Sequence, residues 1–241
     1  MGNSASSGQT LWRIARFDLS RLQQTRAYDA LMRLPMLAWS LGIAWVTVGR
    51  LVNYERGADP MLPDTIYAIN IAAQLAMIAF LVTTAATVLA RARPTGRARG
   101  LEPRLSALLG TFLIPAVALF PRLELSLAAG VASMLLILCG TVLATIVLAR
   151  LGRSFSVMAE ARELVTSGVY RYVRHPLYLA EEIATIGSIL QYLSGWTAAM
   201  LAVQIAFQLR RMHNEEVVLM EIFPEYAAYK QTTARIIPGI Y

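Results

Sequence analysis

Long apolar stretches separated by short arginine-rich intervals dominate this chain. Six runs stand out: Leu34–Val52, Ile66–Ala90, Leu105–Phe120, Leu125–Ala149, Leu177–Leu193 and Trp196–Leu209. A helix needs about 20 residues to cross a bilayer. The second and fourth runs meet that length, and the first and third reach it with tilt and with snorkelling of their flanks. The last two are shorter. Only Ser194-Gly195 parts them, which reads as a tight helical hairpin. No period-two alternation competes. The pattern predicts an all-α, polytopic integral membrane bundle of about six membrane helices, the last two a short hairpin, with a polar segment behind it.

Composition agrees. Of 241 residues, 56% are hydrophobic and 15% charged, against about 25% charged in soluble domains. The net charge of +7 is carried almost wholly by arginine. The arginines flank apolar runs and form no basic stripe with interleaved aromatics, so lipid headgroups are expected as their partners and nucleic acid is not. Cys139 is the single cysteine and sits inside an apolar run. It can form no intrachain disulfide and reads as packing. The first long apolar run follows Arg13, Arg16, Arg21, Arg26 and Arg33, which is not the layout of a signal peptide.

Three parts are expected. Residues 1–33 form a cytosolic arm, in which Leu11, Trp12, Ile14, Ala15 and Phe17 suit either an interfacial helix or a plain juxtamembrane stretch. Residues 34–150 hold four transmembrane helices. Residues 151–241 hold the hairpin and the chemistry. The loop Arg91–Arg104 carries five arginines, whereas the loop Asn53–Asp64 mixes Glu55, Arg56, Asp59 and Asp64. The positive-inside rule then places both termini in the cytoplasm. Counting spans brings the two main polar clusters to that same face.

The first cluster is Leu164–Tyr178 and the second is Arg211, Glu215 and Glu216. Ionisable groups at a membrane are expensive and mark functional sites. Pro176 suits the first position of a helix and pushes His175 out of helical geometry. A helix start there offers free N–H groups and partial positive charge to a carboxylate. Gly168 permits a tight turn, and Tyr170, Tyr172 and Tyr178 offer flat faces to a base or a cationic sulfur. Arg211 and Glu215 share a helical face, while Glu216 points about 100° away. Taken singly, Arg211 and Glu215 also read as a surface ion pair, and His175-Pro176 as a plain helix cap. Glu181 and Glu182 read either as interfacial charges near a helix start or as recognition of an amine or hydroxyl on a substrate. The chain has no glycine-rich nucleotide loop, no P-loop and no nucleophile elbow. Its two histidines, His175 and His213, lack metal-ligand company, so no metal is expected.

The order of these pieces is more specific than any one of them. Leu164-Val165-Thr166-Ser167-Gly168-Val169-Tyr170 precedes Arg174-His175-Pro176-Leu177-Tyr178. A hairpin follows, then Arg211-Met212-His213-Asn214-Glu215-Glu216 and Phe223-Pro224-Glu225-Tyr226-Ala227-Ala228-Tyr229. Together with Leu151–Ser156 upstream, this order resembles the isoprenylcysteine carboxyl methyltransferase family, a group related to the phospholipid methyltransferases. The likeness covers about Leu151–Pro238. It implies an S-adenosylmethionine-dependent methyltransferase, with a cofactor pocket closed by the C-terminal segment and a lipophilic substrate arriving from the bilayer.

By motif, the resemblance implies that Arg162, Glu163, Leu164, Val165 and Tyr170 line the cofactor pocket. It gives His175, Pro176, Leu177 and Tyr178 to the methionine end, with Glu215 a further cofactor contact. Arg211 would hold the acceptor, and Arg211 and Glu215 form the expected catalytic pair. Glu181 and Glu182 depart from the family pattern, and Glu182 is expected from its own chemistry as a substrate contact beside Arg211. Two departures affect fine geometry: Pro224 stands where the family usually has glycine, and Arg162 where histidine is common. The expected reaction is carboxyl O-methylation. The alternatives are N-methylation of a phospholipid or other lipid amine, and an NADPH-dependent sterol-type membrane reductase with a similar Arg-His-Pro turn. Such reductases usually carry Asn where Leu177 stands, which favours methyl transfer. A membrane scaffold is disfavoured, because Arg211, Glu215 and Tyr170 are all present.

Overall fold

The computed structural model describes residues 30–56 and 64–239. The interfacial helix expected over Leu11–Phe17 lies outside these residues. Three helices are long and apolar enough to span a bilayer: α1 (Leu34–Arg56), α2 (Asp64–Ala90) and α4 (Leu127–Leu151). The Arg33 guanidinium donates to Leu89 O and, at 3.3 Å, to Arg91 O. It thereby satisfies the carbonyl end of α2, where a cation is favoured. The Ser126 hydroxyl caps the start of α4, and Gly152, at φ 50°, takes a left-handed conformation at its end.

Among the described residues, the structure has three such spans where six were expected. The third apolar run is broken. Its helix α3 (Glu102–Phe112) stops short, and Ile114–Leu119 continues as a 3₁₀ turn. Pro115 is the physical reason, since it lacks the N–H an α-helix needs there. An 11-residue helix is about 16 Å long, roughly half the hydrocarbon core. The final pair is α5 (Pro176–Leu190) and α6 (Gly195–Ile222). Their turn is locked by a capping box between Ser194 and Thr197. Helix α6 does not end at the apolar boundary near Leu209. It runs three further turns and carries Arg211, Glu215 and Glu216 as one rigid rod.

The most extensive helix–helix contact among the described residues is between α4 and α5. Gly140 and Gly187 make it possible. A Cβ on Gly140 would lie 2.4 Å from Ala184 N, and one on Gly187 would lie 2.7 Å from Ser133 O. Small residues of this kind let apolar helices approach closely. Ser133 Oγ then donates to Gly187 O at 2.7 Å, and Gln191 Nε2 donates to Ser133 Oγ at 3.0 Å. Cys139, expected as packing, is exposed on α4 instead.

One feature ran against the all-helix expectation. Strand β1 (Gly96–Arg97) pairs antiparallel with β2 (Glu160–Ala161), with Gly96 opposite Ala161 and Arg97 opposite Glu160. The pairing covers two residues a side, too short to show any alternation. It ties the arginine-rich loop to the stretch ahead of the first polar cluster. A short α7 (Tyr226–Thr232) follows α6.

Gly140→Val should push α4 and α5 apart. Overpacking of this kind costs about 1–3 kcal/mol. Thermal unfolding of the protein in detergent should fall by several degrees, while Gly130→Ala, at a position with open space around it, should leave it unchanged.

Candidate active site

The site begins with the turn that leads into α5. Gly168, at φ 65°, opens a 3₁₀ turn (Gly168–Arg171) that buries Tyr170. His175 caps α5 in a non-helical conformation, and Pro176 occupies the first turn. The chain's tail lies alongside: Arg174 N donates to Ala234 O at 2.9 Å and His175 N to Arg235 O at 3.0 Å.

Glu216 fastens these parts together. Its side chain is buried, at 3% exposure. Oε1 accepts from Arg174 Nε at 3.1 Å and His175 Nε2 at 3.1 Å, and lies 3.3 Å from Arg235 Nε. Oε2 is 3.2 Å from Lys230 Nζ. Burial alone would raise its pKa. The His175 hydrogen bond and the charges of His175, Arg235 and Arg174 outweigh that and hold it at about 2.

Glu215, one residue earlier on α6, faces the other way, into a cleft. Tyr178 donates its hydroxyl to Glu215 Oε1. Glu215 Oε2 is 4.0 Å from His175 Nδ1, and Oε1 is 3.6 Å from Arg211 Nε. The Arg211 guanidinium lies 4.8 Å from the centre of the Tyr178 ring, a cation–π distance. Arg211 also donates to Thr111 Oγ1 at 3.0 Å and Ser156 O at 3.4 Å. At 4% exposure it is not half of a surface ion pair, as spacing alone allowed.

The cleft encloses about 100 Å³ and is continuous with open solvent. Twelve residues were expected at the site. Arg162, Glu163, Leu164, Val165, Tyr170, His175, Leu177, Tyr178, Arg211 and Glu215 line the cleft, and Pro176 and Glu182 do not. Pro176 is buried as the first residue of α5. Glu182, a turn further along, accepts from Gln204 Nε2 at 2.7 Å. Tyr172, read as a flat face for a ligand, is 66% exposed and faces away. Arg162 is anchored by Glu160 at 2.5 Å and by Ala92 O, so it also braces the β ribbon.

Several lining residues were not singled out from sequence. Tyr226 and Tyr229 close the cleft from α7, and Tyr229 donates to Tyr170 O. Their signal was present in Phe-Pro-Glu-Tyr-x-x-Tyr, whose two tyrosines are three apart and share a helical face. Burial pushes the Tyr229 phenol up to about 12, and Tyr170 and Tyr226 are raised as well. All three therefore stay neutral hydrogen-bonding groups at physiological pH. Glu216 left no sequence signal for its role, because its four partners are brought in by the fold.

A family model of phospholipid methyltransferase matches residues 128–226. The matched segment, 99 of the 241 residues, is similar to that family. No curated protein matches the chain. The match runs from the start of α4 to the start of α7 and includes every expected site residue. The match, with three helices long and apolar enough to cross a bilayer, supports a membrane methyltransferase acting on lipid-type substrates.

The Glu216 cluster makes a signed prediction for this protein. Its folded-state pKa is lowered from 4.5 to about 2. The stabilisation is therefore complete above pH 4.5 and is lost as pH falls from there through about 2. Thermal unfolding in detergent should weaken across that window. Glu216→Gln, which strands buried cations, should cost about 3–5 kcal/mol at pH 7 and flatten the acid limb.

Proposed function

We propose that the chain is an S-adenosylmethionine-dependent methyltransferase whose acceptor is the amine head of a membrane lipid. One observation carries the reading. The His175-Pro176 helix start and the Arg211/Glu215 pair are far apart in sequence, yet His175 and Glu215 stand 4.0 Å apart in one cleft.

The residues present fit the cofactor. When bound, it supplies an electrophilic methyl group on a sulfonium. Glu215 offers a carboxylate to hydroxyl groups or to positive charge. Leu164, Val165 and Leu219 give apolar surface, and Tyr170, Tyr226 and Tyr229 give neutral phenols. His175 through Tyr178, at the start of α5, suit the amino-acid end. The cytoplasmic face is the side we assign to the cleft, on the strength of the five arginines in the loop that β1 belongs to.

An amine acceptor is favoured by the acidic character of the site's bilayer side. Glu181 and Glu182 sit on α5 one turn beyond Tyr178. The matched family description names phospholipids. Arg211 is already held by Thr111, Ser156 and the Tyr178 ring, with Glu215 beside it. A carboxylate acceptor is the second reading. The buried Arg211 Nε has no hydrogen-bond partner among the described residues, and a guanidinium suits a carboxylate. In either case the chain's task is to hold donor and acceptor in line and exclude water.

Calorimetry on the detergent-solubilised protein should detect S-adenosylmethionine binding. Glu215→Ala should weaken it at least tenfold. Arg211→Ala should spare binding and abolish turnover; loss of binding in that variant would reverse the two roles. Membranes given an isotopically labelled methyl donor should yield base-stable label in the lipid extract. Base-labile label would establish an ester and the carboxylate reading.

A further inference from the structure

The two arms of the hairpin scarcely touch along their lengths. Helix α5 packs chiefly on α4, and α6 chiefly on α3. The seam between them is bridged by polar side chains, although both arms are apolar there. Gln204 Nε2 donates to Glu182 Oε1 at 2.7 Å and lies 3.3 Å from Gly110 O on α3. Gln208, one turn along, lies against Gly110, where a Cβ would come 3.0 Å from Gln208 Oε1. Gln204 and Gln208 are only 3% and 2% exposed.

Three oxygens in this seam are shielded from solvent and have no hydrogen-bond partner among the described residues: Glu182 Oε2, Gln204 Oε1 and Gln208 Oε1. A buried polar atom without a partner costs about 1–3 kcal/mol, and more when charged. All three are acceptors and one belongs to a carboxylate. The seam is therefore short of donors and of positive charge. None of its three residues lines the cleft, but the seam lies near it. Gln204, Gln208 and Arg211 follow one another at helical spacing on a single face of α6, which puts the seam roughly 5–10 Å beyond Arg211.

We propose that Glu182, Gln204 and Gln208 form a specificity subsite that reads the N–H groups of an alkylammonium head before it is delivered to Arg211. A primary ammonium carries one cationic charge and three N–H donors, matching a carboxylate oxygen and two amide oxygens. Each methyl added to nitrogen removes one donor, and a quaternary head keeps the charge but has none. The subsite therefore distinguishes unmethylated acceptor from fully methylated product. It rests on the lipid-amine reading above and assigns that discrimination to residues outside the cofactor cleft.

The test needs no turnover. The full chain in nonionic detergent is titrated with octylammonium or octyltrimethylammonium, and affinity is read from the concentration dependence of the unfolding temperature. Octylammonium should bind at least tenfold more tightly. Glu182→Gln, nearly isosteric, and separately Gln204→Leu should each abolish that preference while S-adenosylmethionine binding by calorimetry stays unchanged. Equal affinity for the two amphiphiles, or a preference that survives both variants, overturns the subsite. Loss of S-adenosylmethionine binding in the unmodified protein would instead overturn the methyltransferase cofactor reading and leave the subsite result standing.

Discussion

A single buried carboxylate organises the active region. Glu216 sits where the α5 turn, the α6 rod and the C-terminal tail meet, and Arg174, His175, Lys230 and Arg235 all converge on it. One anion against several cations in a partly desolvated place is held by geometry as much as by charge, because each partner arrives from a different segment. Without that anchor the turn bearing His175 would have no reason to face α6. With it, the neighbouring Glu215 is turned about 100° away around the helix, into the cleft. Two adjacent glutamates thus divide the labour: one holds the wall and the other looks into the space it encloses.

The rigidity of α6 transmits that arrangement. The helix is continuous from the hairpin turn at Ser194 to Ile222. Its apolar beginning packs on α3, and Asn214 in its polar stretch bonds Glu102 and Ser106 at 3.0 and 3.1 Å. The middle and last thirds of the chain are therefore in register with one another. Arg211 owes its position to Thr111 on the far side of that contact as much as to its own helix.

Much of this was legible in the residues. The hairpin could be read because Ser194-Gly195 interrupts an apolar run, and the start of α5 because proline has one comfortable place in a helix. The cleft residues from Arg162 to Tyr178 were legible through the order of their motifs, since no local pattern marks a lining residue. The broken third run was hidden, because counting apolar residues does not weigh the single N–H that Pro115 removes. The length of α6 was hidden too: hydropathy ends near Leu209, but helix propensity and the Arg211–Glu215 spacing do not. Glu182 was read as a substrate contact, yet it stands apart from the cleft, because helix direction carries it a turn away from Tyr178. Long-range pairings such as β1 with β2, or Glu216 with Arg235, depend on where distant segments meet.

The small ribbon between Gly96–Arg97 and Glu160–Ala161 has a consequence for the architecture as a whole. Its outer strand comes from the loop behind α2, and a side chain at Gly96 would collide with Ile222 at the far end of α6. Ala92, in the same loop, accepts from Arg162. The membrane-anchoring half thus braces the segments that line the cleft. The C-terminal third cut loose from it would lose that brace, and swapping in a foreign anchor would require rebuilding that loop as well.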